Sequence, residues 1–275
     1  MGVLDGRAAI VTGSARGIGR AAAVLLAEHG ARVLVTDLDA DLADEAASAM
    51  PGETAVFAGD LTSDGVPEAV VQRAIDEFGQ LDIVVNNAGY TWDGMAHKLS
   101  DEQFRAMLEI HTVAPFRLLR AAAPYLREAG KADKEAGREV FRKVVNVTSI
   151  SGTQGNVGQA NYAAAKAGLV GLTKSLAREW GPFKVNVNAV AFGFVDTRLT
   201  AASDEGETIT RGDAEIPLGI PAKMRELAST IIPLGRPATP DEAAGAIFFL
   251  CSPWSNFVHG QVLTVNGGQT TGMTT

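Results

Sequence analysis

The chain has 275 residues but only one cysteine, Cys251, and no apolar run near the ~20 residues needed to cross a membrane. A single thiol excludes an intrachain disulfide and a cysteine zinc cluster, and no metal site is expected. Positive charge is also in deficit. Against 32 Asp and Glu stand 24 Lys and Arg, a formal net charge of -8. Nucleic acid is therefore a poor partner, since phosphate binding would need a basic excess. The first residues lead towards a strand without the basic stretch and long apolar run of a secretory leader. The expected compartment is a reducing cytoplasm. Internal repeats and low-complexity tracts are missing as well. In their place stand 46% hydrophobic residues and 30 glycines, the composition of a compact, turn-rich enzyme rather than a disordered chain. The length suits a single domain over 1–275.

Short apolar runs alternate with helical patterns along the chain. Ala8-Ala9-Ile10-Val11-Thr12 reads as a buried strand, and Gly13-Ser14-Ala15-Arg16-Gly17-Ile18-Gly19 follows it. An Ala- and Leu-rich helix then runs to His29, with Gly30 where a C-cap belongs. Glycines between a strand and a helix let the backbone turn tightly and approach a pyrophosphate, which the helix N-terminus stabilises. The second strand ends in Asp37, at the distance where an acid binds the ribose hydroxyls of NAD and repels the extra phosphate of NADP. Arg16 argues the other way, because a guanidinium grips phosphate. On balance NAD is expected, with NADP the alternative. Asp60-Leu61 ends a third strand, where a carboxylate can accept an adenine amino group or cap its own loop. Asn87, Ala88 and Gly89, at the end of a strand over 81–85, can brace the sheet and leave room for a ribose.

A capping box at Ser100 opens a long helix towards Tyr125, with His111 inside it. A histidine there is ordinarily a packing residue, and a direct catalytic part for it is the less favoured reading. Residues 127–143 are mixed in charge and read as a solvated insertion before a strand over 144–148. Ser149 stands at that strand's C-terminal edge, where a hydroxyl can hold a substrate oxygen. Tyr162 and Lys166 stand four residues apart in an Ala-rich helix, which puts them on one face. A phenol of pKa about 10 is a poor base near neutrality, and an adjacent ammonium lowers that pKa. Two further strands, over 185–190 and 262–265, complete a set of seven. Residues 196–235, with three prolines and few strand signals, are too long for a plain connector and read as a lid. The pattern predicts an α/β fold, a doubly wound parallel seven-stranded sheet with helices on both faces. All the singled-out motifs fall at strand C-terminal ends, where such sheets bind ligands.

Together, Thr12-Gly13-x-x-x-Gly17-Ile18-Gly19, Asn86-Asn87-Ala88-Gly89, Ser149, Tyr162-x-x-x-Lys166 and Val265-Asn266-Gly267-Gly268 resemble the short-chain dehydrogenase/reductase family over nearly the whole chain. Gly155-Asn156-Val157-Gly158-Gln159-Ala160-Asn161 is similar to the 3-oxoacyl-thioester reductases within it, of both the carrier-protein and the CoA type. The resemblance implies Tyr162 as general acid/base, Lys166 as its pKa depressant and a ribose ligand, and Ser149 as donor to the substrate oxygen. It implies that 193–197, with Val195 and Thr197, hold the nicotinamide carboxamide. It also implies a homotetramer. Steroid, polyol or other small-alcohol dehydrogenases are the enzymatic alternatives, and a non-catalytic dinucleotide-binding regulator the remaining one. Two departures stand out. His111 occupies the place of the family's usual Asn, and Phe192 that of its usual Pro, where it would alter the lid or wall the pocket.

Overall fold

The computed structural model describes residues 2–201, 208–211, 214–220 and 222–270. Strand β1 (Ala8–Thr12) is wholly buried and leads through the glycine turn into α1 (Gly17–Glu28). The buried face of α1 carries Gly19, Ala22, Ala23, Leu26 and Ala27, at the three- and four-residue spacing of one helical stripe. β2 (Arg32–Asp37), α2 (Ala40–Ser48), β3 (Thr54–Ala58), α3 (Val66–Phe78) and β4 (Ile83–Asn86) continue the alternation. β4 starts later than the sequence suggests. Asp82 is spent before the strand, accepting bonds from Arg7 Nη1 at 2.8 Å and from the Ala8 N–H at 3.0 Å.

The helix expected from Ser100 towards Tyr125 is broken into α4 (Asp101–Leu108) and α5 (Ala114–Ala123) by a π-helical turn at Glu109–Val113, and a second such turn at Pro124–Glu128 leads on into α6 (Ala129–Glu135). Pro115 has no N–H to close the ordinary α-helical bond to the His111 carbonyl. That loosens the ladder where His111 sits. Residues 127–143 are more ordered than a solvated insertion. Buried Asp133 receives Arg138 at 2.7 Å and Arg142 at 2.9 Å, tying α6 to the start of the next strand.

That strand, β5 (Arg142–Ser149), is followed by the single-turn α7 (Ile150–Gln154), the long α8 (Ala160–Trp180) and β6 (Val185–Phe192). Within 196–235 the chain forms an antiparallel pair, β7 (Thr208–Arg211) and β8 (Ala214–Pro217), and a helix, α9 (Ala222–Ile231). The pair sets Ile209 opposite Ile216, an alternation only four residues long on each side and easily missed in the sequence. α10 (Pro240–Cys251) starts on a Thr239 capping box, and β9 (Val262–Val265) ends the sheet.

The seven-stranded sheet has the order β3-β2-β1-β4-β5-β6-β9, parallel throughout. Strand order reverses between β1 and β4, so a crevice opens beyond their C-terminal ends. Phe192 does not wall that crevice: it ends β6 at 4% exposure in the core shared with α1 and α10. No described helix is long and apolar enough to cross a membrane.

Candidate active site

The glycine turn is shaped by close approach. Gly13 has φ +63, and a Cβ there would stand 2.8 Å from Ala88 Cα; a Cβ on Gly19 would stand 2.2 Å from the Gly13 carbonyl oxygen. Only hydrogen at both positions lets the turn nest against the end of β4. Thr12 and Asn87 lock that nest. Thr12 Oγ1 accepts the N–H groups of Asn87 and Ala88 at 2.9 and 3.0 Å, and Asn87 Nδ2 donates to the Thr12 and Gly13 carbonyls.

Above it lies a cavity of about 410 Å³, in the size range of cofactor sites. Gly13, Arg16, Gly17, Ile18, Asp37, Asp60, Leu61, Asn87, Ala88, Gly89 and Thr197 all line it. Ser14 does not. Its hydroxyl donates to the Val11 carbonyl at 2.6 Å and accepts the Thr36 N–H at 3.1 Å, so it braces the turn from below. Val195 does not line the cavity either and is buried, at 4% exposure. Asp60 Oδ1 is used as a loop cap, accepting the Thr62 N–H at 2.9 Å and the Thr62 hydroxyl at 2.7 Å.

At the far edge Asp37 accepts the Ala15 N–H at 3.1 Å on one oxygen and the Leu38 N–H at 2.8 Å on the other. Arg16 lies 3.8 Å from Asp39, an acid the sequence reading did not single out. A cradle of glycine backbone at a helix N-terminus, beside an acid at the end of β2, fits a dinucleotide.

The second group of residues comes together where β5 meets α8. Ser149 ends β5 and caps α7, its Oγ accepting the Ser151 N–H at 3.1 Å. Ser149 stands close enough to the Tyr162 phenol to lower its pKa. Two reciprocal bonds dock the helix on the strand: Lys166 Nζ donates to the Val147 carbonyl at 2.8 Å, and Thr148 Oγ1 to the Lys166 carbonyl at 2.9 Å. Gly152 is needed at this crossing, since its Cβ would meet Lys166 Cβ at 2.7 Å.

The electrostatics differ from the sequence expectation. Burial pushes the Tyr162 phenol up to about 12, with Ser149 pulling it down and the Asp93 charge pushing it further up. Burial also brings Lys166 down to about 7. Its Nζ stands 5.6 Å from the centre of the Tyr162 ring. Desolvation outweighs the pull of Ser149, so the Tyr162 phenol is protonated at neutral pH.

His111 packs against the same corner, its ring edge-on to Tyr162 with 5.0 Å between centres. Its Nε2 lies 2.7 Å from the Tyr90 carbonyl. A carbonyl only accepts, so Nε2 carries the proton and buried Nδ1, which has no partner, is a bare acceptor. Burial first, then Lys166, drives the His111 pKa well below 6.5 and keeps the ring neutral. Gly89 makes room for it: a Cβ there would lie 2.1 Å from His111 Cε1.

An apolar wall completes the corner, with Tyr90, Met107, Ile110, Ala165 and Ile216 as its buried members and Tyr162 packed on them. Ile216 comes from β8, and Ile209 of β7 lines the cavity itself. Neither was singled out in the sequence. Their only signal was the short apolar alternation of the hairpin.

A doubly wound sheet with a glycine cradle at its switch point and a Ser, Tyr and Lys beside it defines a dinucleotide-dependent oxidoreductase. Residues 13–270 match the family model described as enoyl-(acyl carrier protein) reductase. The 3-oxoacyl-(acyl-carrier-protein) reductase FabG of Vibrio cholerae is 40% identical over 266 residues, covering 96% of this chain and 98% of that one. FabG of Escherichia coli is 36% identical over 264 residues, with 96% and 97% covered, and FabG of Thermotoga maritima 34% over 268, with 96% and 98% covered. The chain belongs to the short-chain dehydrogenase/reductase family.

Proposed function

We propose that the protein reduces the ketone of a 3-oxoacyl thioester to the secondary alcohol, reversibly. The observation that carries this reading is the convergence of two hydroxyls, Ser149 and Tyr162, beside the cradle. Two O–H donors suit one carbonyl oxygen better than a carbon–carbon double bond, which favours the activity in the relatives' names over the one in the family description. When bound, the dinucleotide supplies the hydride that reaches the carbonyl carbon. Ser149 then holds the oxygen as it gains charge, and Tyr162 delivers its proton to it.

Lys166 has two N–H groups left after Val147, enough for ribose hydroxyls, and its protonated form favours the phenolate. His111 acts as a positioning residue: its buried Nδ1, which has no partner, can accept a hydrogen bond from a water at this corner. In this reading Thr197, which lines the cavity, meets the nicotinamide carboxamide, and the segment 196–235 serves as a lid. NAD is the favoured cofactor. The lone pairs left on Asp37 can accept ribose hydroxyls, and Asp39 competes for Arg16 with any added phosphate.

The carrier of the thioester is left to the assay, because a net charge of -8 disfavours an acidic carrier protein without a local basic patch. Initial rates with acetoacetyl-CoA and with an acetoacetyl carrier protein, each with NADH and NADPH, test the reading, with Tyr162→Phe as the blank. The expected result is NADH-dependent turnover that Tyr162→Phe reduces about 100-fold or more. Near-native turnover in that variant would refute the mechanism. Turnover of small alcohols with no thioester activity would refute the substrate class.

A further inference from the structure

Beside the Ser149 and Tyr162 corner stands a charge that the reaction scheme does not use. Gly94 donates to the Gly158 carbonyl at 2.8 Å, and Gly94 and Gln159 form a parallel bridge, so the loop after β4 lies alongside the approach to α8. Asn161 Nδ2 holds the same loop through the Trp92 carbonyl at 2.9 Å. Asp93 stands between these two anchors. Its Oδ2 accepts a bond from Gln159 Nε2 at 2.9 Å. The orientation of that amide is set independently, because Gln159 Oε1 accepts both the Ser151 hydroxyl and Asn156 Nδ2 at 3.0 Å. Gln159 therefore has only its NH₂ to offer Asp93, and the carboxylate is held in place by a neutral group.

Among the described residues no cation lies within ion-pair range of Asp93. Oδ1 receives no hydrogen bond from any of them. The side chain is open to solvent on one side, yet the protein around it desolvates the carboxyl enough to raise its pKa. It stands near the reacting groups: Gln159, which holds it, bonds Ser151 two residues after Ser149 and opens the helix that carries Tyr162, and Trp92 packs on the same apolar wall as Tyr162, whose pKa the Asp93 charge helps to raise. An uncompensated acceptor at this place opposes any anion that approaches Tyr162. It suits a substrate that is neutral near the ketone and offers an N–H or O–H further along.

We propose that Asp93, clasped by Gln159, is the charge filter of the substrate entrance, turning away 3-oxo acids with a free carboxylate and admitting their uncharged thioesters and esters. The inference rests on the reading of the site as a 3-oxoacyl reductase, and adds to it the residue that separates esterified from free acids.

Its test uses two ketones of nearly the same shape, acetoacetate and ethyl acetoacetate, with acetoacetyl-N-acetylcysteamine as the neutral thioester. kcat/KM is measured for each with the native protein and with Asp93→Asn, which keeps the size of the side chain and removes its charge. The native protein should prefer the neutral compounds. Asp93→Asn should narrow the preference over acetoacetate by about tenfold or more, mainly through faster use of the anion, and added salt should shrink the native preference. An unchanged ratio in Asp93→Asn would overturn the proposal. Turnover of ethyl acetoacetate without the thioester would refute the thioester reading, while the ratio still tests the filter. If no ketone is reduced, calorimetric binding of acetoacetate and ethyl acetoacetate in the presence of NADH decides. Equal affinities in the native protein overturn the filter, and a preference for the ester that Asp93→Asn abolishes supports it.

Discussion

Replacing Lys166 by Met should stabilise the fold below neutral pH while abolishing catalysis. Lys166 is 4% exposed, and Val147 supplies its one bond to a carbonyl. No carboxylate among the described residues pairs with it. Burial lowers its pKa from 10.5 to about 7. At about 1.4 kcal/mol for each pH unit of that displacement, the charged form is disfavoured in the folded state by up to ~5 kcal/mol. Replacing buried ions by apolar residues of similar size gains roughly 1–4 kcal/mol in other proteins, so about 2–4 kcal/mol is expected here.

Between pH 7 and 10.5 the unfolded chain binds a proton at this site that the folded chain does not. The stability of the native protein, relative to the variant, therefore rises with pH across that interval. The handicap is complete below about pH 7 and gone near pH 10.5. Urea unfolding of both proteins at pH 6, 8 and 10, without added dinucleotide, reads the difference directly. A variant less stable at pH 6, or a difference that does not change with pH, would refute the reasoning.

Three other outcomes follow from particular contacts. Gly13→Ala forces a Cβ to 2.8 Å from Ala88 Cα at φ +63, and should cost about 1–3 kcal/mol of stability and weaken dinucleotide binding; thermal melts and fluorescence titration with NADH check both. His111→Phe keeps the ring against Gly89 and Tyr162 but removes the Nδ1 acceptor and the bond to Tyr90. kcat should fall about tenfold with KM within about twofold, and His111→Asn should restore part of the loss; an unchanged kcat would leave His111 a packing residue. The native protein should also be a homotetramer, and light scattering that gives a monomer at micromolar concentration would contradict this.

The strands, the glycine turn and the Tyr162–Lys166 pair were legible in the sequence because each depends on neighbours a few residues away. A strand needs its run of apolar residues, a tight turn needs glycine, and two helical residues share a face whenever they stand four apart. The parallel order of the sheet was legible for the same reason, through the alternation of strand and helix. The hairpin within 196–235 was not, since four-residue strands carry little periodic signal. Nor were the π-helical turns, nor the burial of Asp133 between two arginines.

Ser14 shows the limit at one residue: its place in the glycine motif suggested a cofactor contact, and its bonds to Val11 and Thr36 turned it inward. The sequence by itself determined which groups line up at the strand ends and the chemistry they carry. Only the tertiary structure decided their protonation and their surroundings. The phenol is raised to about 12, the lysine lowered to about 7, and Asp93 and Gln159 are joined across 66 positions of the chain. Those properties depend on solvent excluded, and charges brought near, by residues remote in the chain, and no local pattern records them.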